Sequence, residues 1–317
     1  MQNMKPKRLA ISMGDPRGIG PEIILKALSV SLKSNDGWEY IVYGDPILLG
    51  KLNKGLLINC PLNRIVLENA SGRPGTSPAL SAISWIEAAA AACISGKVAG
   101  MVTGPISKEE TICAGYKDFI GQTEFLAEFS KVSNTIMMLL GAAPQGQWLR
   151  VALVTTHLPL SRVASSLTIS KVENAIRLAS DACKRLKLKR NRIGVSGLNP
   201  HCGEGGKMGN EEALFIEPAV ARCLQDGLDV SGPVSADVLL RKAWLGEFDA
   251  VVSMYHDQAL PALKMVAFDS GVNWTLGLPF IRVSPDHGTA FDIAGKGIAS
   301  PGSMLAAIDL AKKLNSD

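Results

Sequence analysis

A regular alternation runs along nearly the whole chain, and it limits the possible folds more than any other feature: short apolar runs, each followed by an amphipathic segment of helix length. Strand-length runs fall at 8–13, 40–43, 64–67, 100–103, 150–155, 192–197 and 250–254, with helix candidates at 21–31, 79–94, 170–186, 211–224 and 236–244 between them. A helix between two such runs returns the chain to the edge it left, so the pattern predicts βαβ units and mainly parallel sheets. The 317 residues are too many for one small core and suit two α/β lobes. Several runs end in glycine or small-residue turns, the place where α/β folds hold their ligands. No repeat, low-complexity tract or long linker separates the lobes.

Composition removes several function classes. With 47% hydrophobic and 20% charged residues the chain is globular and not disordered. Thirty-three basic and 29 acidic residues give a net charge of +4. This small excess suits an anionic substrate better than a nucleic acid. The one basic cluster (Lys184, Arg185, Lys187, Lys189, Arg190, Arg192) runs from a helix into a polar loop and reads as a solvated face. Six cysteines without a CxxC pair read as reduced thiols of a cytoplasmic protein. Residues 1–8 are polar, lead into a strand and do not read as a signal peptide. The alanine-rich segment 89–93 is too short to span a membrane.

The four histidines, His157, His201, His256 and His287, all lie in loop-like or strand-end contexts. Three of them, His157, His201 and His256, follow a strand candidate within a few residues, so a parallel sheet would bring them to one edge. Three imidazoles meeting there would make a catalytic divalent-metal site with coordination positions open for substrate. Taken one at a time, each is equally readable as an isolated loop histidine.

Two glycine-rich loops stand at the ends of the chain. Met13-Gly-Asp-Pro-Arg-Gly-Ile-Gly-Pro-Glu22 follows the first strand and opens a helix, with Pro21 suited to a first helical position. It is neither a GxGxxG fingerprint nor a P-loop. The late loop, Asp286-His-Gly-Thr-Ala-Phe-Asp-Ile-Ala-Gly-Lys-Gly, offers Asp292 as an acceptor for ribose hydroxyls, although spacing alone fits a connecting loop as well. Lys264, Asn273 and Arg282 are embedded in the apolar stretch 260–283. Cations there need an anionic partner, either a structural carboxylate or a bound phosphate or carboxylate.

Together these segments resemble the 4-hydroxythreonine-4-phosphate dehydrogenase family of vitamin B6 biosynthesis. The resemblance runs over nearly the whole chain and includes Thr103-Gly-Pro105, Thr155-Thr-His-Leu-Pro-Leu160, Gly197-Leu-Asn-Pro-His-Cys-Gly-Glu-Gly-Gly206, Met254-Tyr-His-Asp-Gln258 and the segment from Gly271 to Arg282. The first and last glycine-rich segments are similar to counterparts in the isocitrate and isopropylmalate dehydrogenases. The resemblance implies a two-lobed α/β/α subunit with the active site in the cleft between lobes, completed by the second subunit of a homodimer. The first lobe, residues 1–125 plus 275–317, would be the cofactor side, and residues 126–274 the metal and dimer side.

The implied ligands of one divalent ion (Zn, Co, Mn, Ni or Mg) are His157, His201 and His256. Implied substrate contacts are Gln122, Thr123, Lys264, Asn273 and Arg282, and implied cofactor contacts for NAD or NADP are Gly14, Asp15, Gly18, His287, Gly288, Thr289, Ala290 and Asp292. Lys264 is the candidate base, with Asp237 and Asp257 orienting ligands or substrate. The family oxidises 4-phosphooxy-L-threonine at the 3-hydroxyl, and loss of carbon dioxide gives 3-amino-2-oxopropyl phosphate. One departure stands out: family members commonly carry Gly-His-Thr-Glu where this chain has Gly121-Gln-Thr-Glu124. Gln122 keeps a donor and an acceptor without a titrating charge. Relatives acting on 4-phospho-D-threonate or 4-phospho-D-erythronate are therefore the alternative, and those acting on aromatic cis-dihydrodiols rank below them. An isopropylmalate-type enzyme would bind its metal through aspartates. A phosphate acyltransferase or a non-catalytic metabolite-binding dimer would need no histidine trio.

Overall fold

The computed structural model describes residues 7–34, 36–69 and 77–316. The reading of the N-terminal segment therefore lies, apart from Lys7 and Arg8, outside the described residues. In chain order the strands are β1 (Arg8–Ser12), β2 (Glu39–Tyr43), β3 (Val66–Glu68), β4 (Gly100–Thr103), β5 (Ile136–Ala142), β6 (Trp148–Leu153), β7 (Ile193–Ser196), β8 (Val230–Val234), β9 (Ala250–Ser253), β10 (Val272–Leu276) and β11 (Ile281–Pro285). The helices are α1 (Gly20–Ser31), α2 (Pro46–Gly55), α3 (Pro78–Ile94), α4 (Lys108–Cys113), α5 (Gln122–Phe129), α6 (Leu160–Ser166), α7 (Ile169–Arg185), α8 (Glu217–Gln225), α9 (Ala236–Trp244), α10 (His256–Ala267) and α11 (Gly302–Leu314). The chain forms two compact units, residues 1–133 with 278–317, and residues 134–277.

The first unit carries strands in the order β3-β2-β1-β4-β11, with every pair parallel. Leu9, Ala10 and Ile11 are fully buried in succession. Burial on both faces is why this strand reads as a continuous apolar run. Helix α3 packs on β1, β2 and β4 through Trp85, Ile86 and Ala89, while α11 packs on β4 and β11 and meets α1. Each such large side chain contributes about 1.5–3 kcal/mol through burial.

The second unit orders its strands β10-β5-β6-β9-β7-β8. β6, β9, β7 and β8 are parallel, as expected of a mainly parallel sheet, but β5 pairs antiparallel with both β6 and β10. The reason is the connection: residues 143–147 close a tight hairpin, with Ala143 N–H donating to Gln147 O, and parallel pairing needs a far longer crossover. Leu139, Val151, Leu239, Val251 and Leu263 form the core here. The basic residues at the end of α7 are exposed, apart from Arg192, which bonds Asp249. The six cysteines are free thiols, and burial pushes Cys93 up to about 12 and Cys183 to about 11. Among the described residues no helix is long and apolar enough to cross a membrane.

One buried ion pair fixes the late loop of the first unit. Glu22, in the first turn of α1 and fully buried, accepts from the N–H groups of Gly297 (3.2 Å) and Ala299 (3.0 Å) and from Lys26 Nζ (2.8 Å). Lys26 Nζ in turn donates to the carbonyls of Gly297 and Ala299, each at 2.8 Å. Removing the carboxylate leaves a partly buried ammonium and two backbone donors unpaired. Glu22→Ala is therefore expected to lower stability by about 3 kcal/mol in urea unfolding followed by circular dichroism. Lys26→Met should cost less, because the Lys26 side chain keeps 21% exposure and Glu22 keeps its two backbone donors.

Candidate active site

In the second unit the ends of β6, β7 and β9 lead into His157, His201 and His256. Two side chains tie these ends together. Thr155 Oγ1 donates to Met254 O at 2.7 Å, and its N–H reaches the same carbonyl at 3.1 Å, which joins the β6 and β9 exits. Gln258 accepts from Met254 N (2.7 Å) and donates to Gly197 O (2.7 Å), which joins the β9 and β7 exits. The rings of His157 and His256 come within 5.7 Å, centroid to centroid. They line a cavity of about 250 Å³ with Thr156, Leu158, Tyr255 and Asp257.

A neighbouring carboxylate orients two of the histidines. His256 Nδ1 lies 2.6 Å from Asp257 Oδ1, and His201 Nδ1 lies 2.8 Å from Glu204 Oε1. A carboxylate only accepts, so each Nδ1 carries a proton, and in the neutral ring that leaves Nε2 with the lone pair a metal ligand requires. Within one chain, however, no group of three or more His, Cys, Asp or Glu side chains comes together as a metal cage among the described residues.

His201 stands on strained backbone. Residues 201–205 all have positive φ: His201 at 51°, Cys202 at 55°, Gly203 at 75°, Glu204 at 47° and Gly205 at 66°. Left-handed backbone costs a non-glycine residue about 1–2 kcal/mol, so the surroundings must hold this turn. Glu212, buried in a π-helical turn (Glu212–Ile216), does so: its Oε1 accepts from the N–H groups of Leu198 and Asn199, each at 2.8 Å. Its Oε2 accepts from Asn199 Nδ2 at 3.0 Å.

Asp237 opens α9. The N–H of Val238 and the Ser235 hydroxyl hold its carboxyl below the usual carboxylate range, and His201 adds to the effect. Lys264 lies seven residues beyond Asp257 on α10, on nearly the same helical face, and is half-buried. Asn273 lies on β10, and its Oδ1 is buried without a hydrogen-bond partner among the described residues. A buried acceptor in that state has room for one donor.

In the first unit Gly14 and Asp15 turn against Pro105, with Asp15 N–H donating to Pro105 O at 2.9 Å. The buried Asp15 carboxylate takes two side-chain bonds from Arg17, Nε at 3.0 Å and Nη2 at 2.8 Å. Arg17 also pairs with Glu110 at 2.9 Å and stacks 5.5 Å over the Phe291 ring. Ile19 N–H donates to Thr289 O (2.9 Å), which brings the two glycine-rich loops together. His287 Nδ1 faces Gly288 O at 3.1 Å, while its Nε2 is buried without a partner among the described residues. Ala290 is left-handed at φ 41°, and Asp292 is exposed.

Arg282, on β11, is only 2% exposed. Its Nη2 donates to Thr103 Oγ1 (2.7 Å) and to Gln122 Oε1 (2.8 Å), while Gln122 Nε2 donates to Gly104 O (3.0 Å). Burial pulls its guanidinium down to about 10, with Glu124 pushing back. Thr123 is buried beside Gln122 at the start of α5.

Sequence reasoning missed Glu22, Arg17, Glu212, Gln258 and Thr103 as parts of these sites. Glu22 had a visible signal, an acidic residue directly after a helix-opening proline. Glu212 had none, since its partners lie 13 and 14 residues earlier in the chain.

The architecture is of the isocitrate dehydrogenase type: the isocitrate dehydrogenase of Methylococcus capsulatus superposes with a TM-score of 0.54 at 15% identity, over 96% of this chain and 84% of that one. Within that fold, the chain belongs to the family described as pyridoxal phosphate biosynthetic protein PdxA, whose model matches residues 45–311. It is 40% identical to a 4-hydroxythreonine-4-phosphate dehydrogenase of Caulobacter vibrioides, over 98% of both chains. It is also similar in structure to a 4-hydroxythreonine-4-phosphate dehydrogenase from Klebsiella pneumoniae, with a TM-score of 0.82 and 34% identity over 98% of this chain and 99% of that one.

The turn at 201–205 makes a sharp comparison possible. A Cβ on Gly203 would sit 2.8 Å from Glu212 Oε2 and 2.9 Å from Gly209 O, whereas one on Gly205 would meet nothing within 4 Å. Gly205→Ala should cost about 1 kcal/mol, from left-handed strain alone. Gly203→Ala should cost at least twice as much in thermal unfolding, because the side chain also displaces Glu212.

Proposed function

We propose that this chain is a cytoplasmic dehydrogenase that oxidises 4-phosphooxy-L-threonine at its 3-hydroxyl with NAD or NADP. Decarboxylation of the product then gives 3-amino-2-oxopropyl phosphate for vitamin B6 biosynthesis. The reading rests on the match over 98% of the chain to a relative that bears that enzyme's name, and the site chemistry agrees with it.

The donor set suits a divalent ion. His201 and His256 each have Nδ1 occupied by a carboxylate and Nε2 available, and His157 lies beside His256. The resemblance to the family adds a homodimer in which the partner subunit completes the active site. When bound, the ion would lower the pKa of the substrate hydroxyl and stabilise the negative charge that develops on decarboxylation. NAD or NADP would accept the hydride.

The chain's own residues do the rest. Arg282 and Thr123 hold the anionic end of the substrate, and Asn273 Oδ1 accepts a hydrogen bond from a donor group of the substrate such as a hydroxyl. Lys264 is the base for the hydroxyl proton in this reading, with Asp237 and Asp257 orienting ligands or substrate. Gly14, Gly18 and the loop from His287 to Asp292 form the cofactor side, with His287 Nε2 as an acceptor. The residue Gln122, where the family commonly has histidine, keeps 4-phospho-D-threonate and 4-phospho-D-erythronate as the alternative substrates.

Absorbance of the reduced cofactor, followed with each of the three phosphorylated substrates, tests this. Turnover of the threonine phosphate is expected, lost on chelation and restored by a divalent ion. His201→Ala should lower it by on the order of a hundredfold or more, matching the several kcal/mol a Lewis acid supplies. Turnover of a threonate or erythronate phosphate alone would move the substrate assignment. No reduction of either cofactor by the metal-loaded protein would overturn it.

A further inference from the structure

Gln122 has both ends of its amide engaged with protein: Nε2 donates to Gly104 O (3.0 Å), and Oε1 accepts from Arg282 Nη2 (2.8 Å). These bonds fix which way the amide points. A flip would set its NH₂ against the guanidinium and its oxygen against a carbonyl, replacing two attractions with two repulsions. Nη2 has two hydrogens, and the second goes to Thr103 Oγ1 at 2.7 Å. With both directions of Nη2 set, the plane of the guanidinium is set, and with it the direction in which the remaining donors of the fork point.

The three elements involved meet by topology. β11 lies beside β4 with Arg282 in register with Met101, Thr103 ends β4, and Gly104 follows it. Gln122 opens α5, so its amide ties the start of that helix to the turn after β4. Both oxygens that hold Nη2 are neutral, so these bonds orient the cation without cancelling its charge.

We propose that Gln122 is a positioning residue: it acts on the substrate through Arg282, whose guanidinium it aligns as a clamp for the phosphate of a small phosphorylated acid. This deepens the proposed function and rests on its assignment of Arg282 to the anionic end of the substrate. It also separates two roles that a side chain at this position can have. A residue that touches the phosphate directly contributes whether or not Arg282 is aligned, whereas a residue that only aligns Arg282 contributes nothing once the fork is gone.

A double-mutant cycle reads the difference. Gln122→Met keeps the length of the side chain and removes both bonds; Arg282→Lys keeps a cation and removes the fork. Affinity for inorganic phosphate by calorimetry, and kcat and KM for the phosphorylated substrate, would be measured for wild type, both single variants and the pair. Circular dichroism would confirm that each is folded. Gln122→Met alone is expected to raise KM about tenfold and weaken phosphate binding in parallel, the value of one charge-assisted hydrogen bond, with kcat within about twofold. In the Arg282→Lys background the same change should add less than about twofold.

Additive effects would overturn the proposal, because they would put Gln122 in direct contact with the anion. A fall in kcat with KM and phosphate affinity unchanged would also overturn it, by moving Gln122 to the reacting atoms. Wild type that fails to bind phosphate at millimolar concentration would remove the clamp altogether. A wild type that binds phosphate and shows the non-additive pattern but reduces no cofactor would support the clamp and overturn the proposed reaction.

Discussion

Where a parallel ladder stops, the backbone groups beyond its last rung lose their partners, and in both units buried or half-buried polar side chains take over. Thr155 and Gln258 bond the strand exits of the second unit, and Glu212 gathers two N–H groups from the turn after β7. In the first unit Glu22 and Lys26 bond both N–H and C=O groups of the late loop, and Gln122 takes the carbonyl after β4. Buried backbone groups must be satisfied in any fold. Here the side chains that satisfy them also fix the loops carrying the candidate ligands. Removing one of these side chains therefore disturbs stability and the site together.

Much of this architecture was legible in the sequence, for a physical reason. β1, β2, β4 and β9 are buried on both faces or nearly so, and such strands show as uninterrupted apolar runs between helix-length segments. Several elements escaped, and two of them show why. β5 (Ile136–Ala142) is as apolar as its neighbours, so its sequence carries no mark of its antiparallel direction; the short hairpin after it decides that. α10 holds Pro261 in its interior, which argues against a helix when only local propensity is weighed. Tertiary packing of Ala259, Leu260 and Leu263 into the core outweighs that local cost.

The site was legible as a set of residue types and only partly as geometry. Periodicity puts His157, His201 and His256 after strands, but it gives no information about the left-handed run at 201–205 or about the carboxylates that hold Nδ1 of His201 and His256. His157 and His256 meet because Thr155 welds their strand exits by way of Met254, a contact across 99 residues.

Two buried charges in the first unit are held in different ways. Glu22 is neutralised by Lys26 and saturated by backbone donors, the arrangement that makes a buried charge tolerable. Nη2 of Arg282 is held instead by the oxygens of Thr103 and Gln122, and burial pulls the guanidinium down to about 10. Those two acceptors carry no charge, so they orient the cation without neutralising it, while Glu124 offsets part of its desolvation penalty. A titrating side chain at position 122 would make its bond to Arg282 depend on pH, because a protonated imidazole offers two donors and cannot accept from Arg282. An amide does not titrate, so in this chain the bond between Arg282 and position 122 does not depend on a charge at that position.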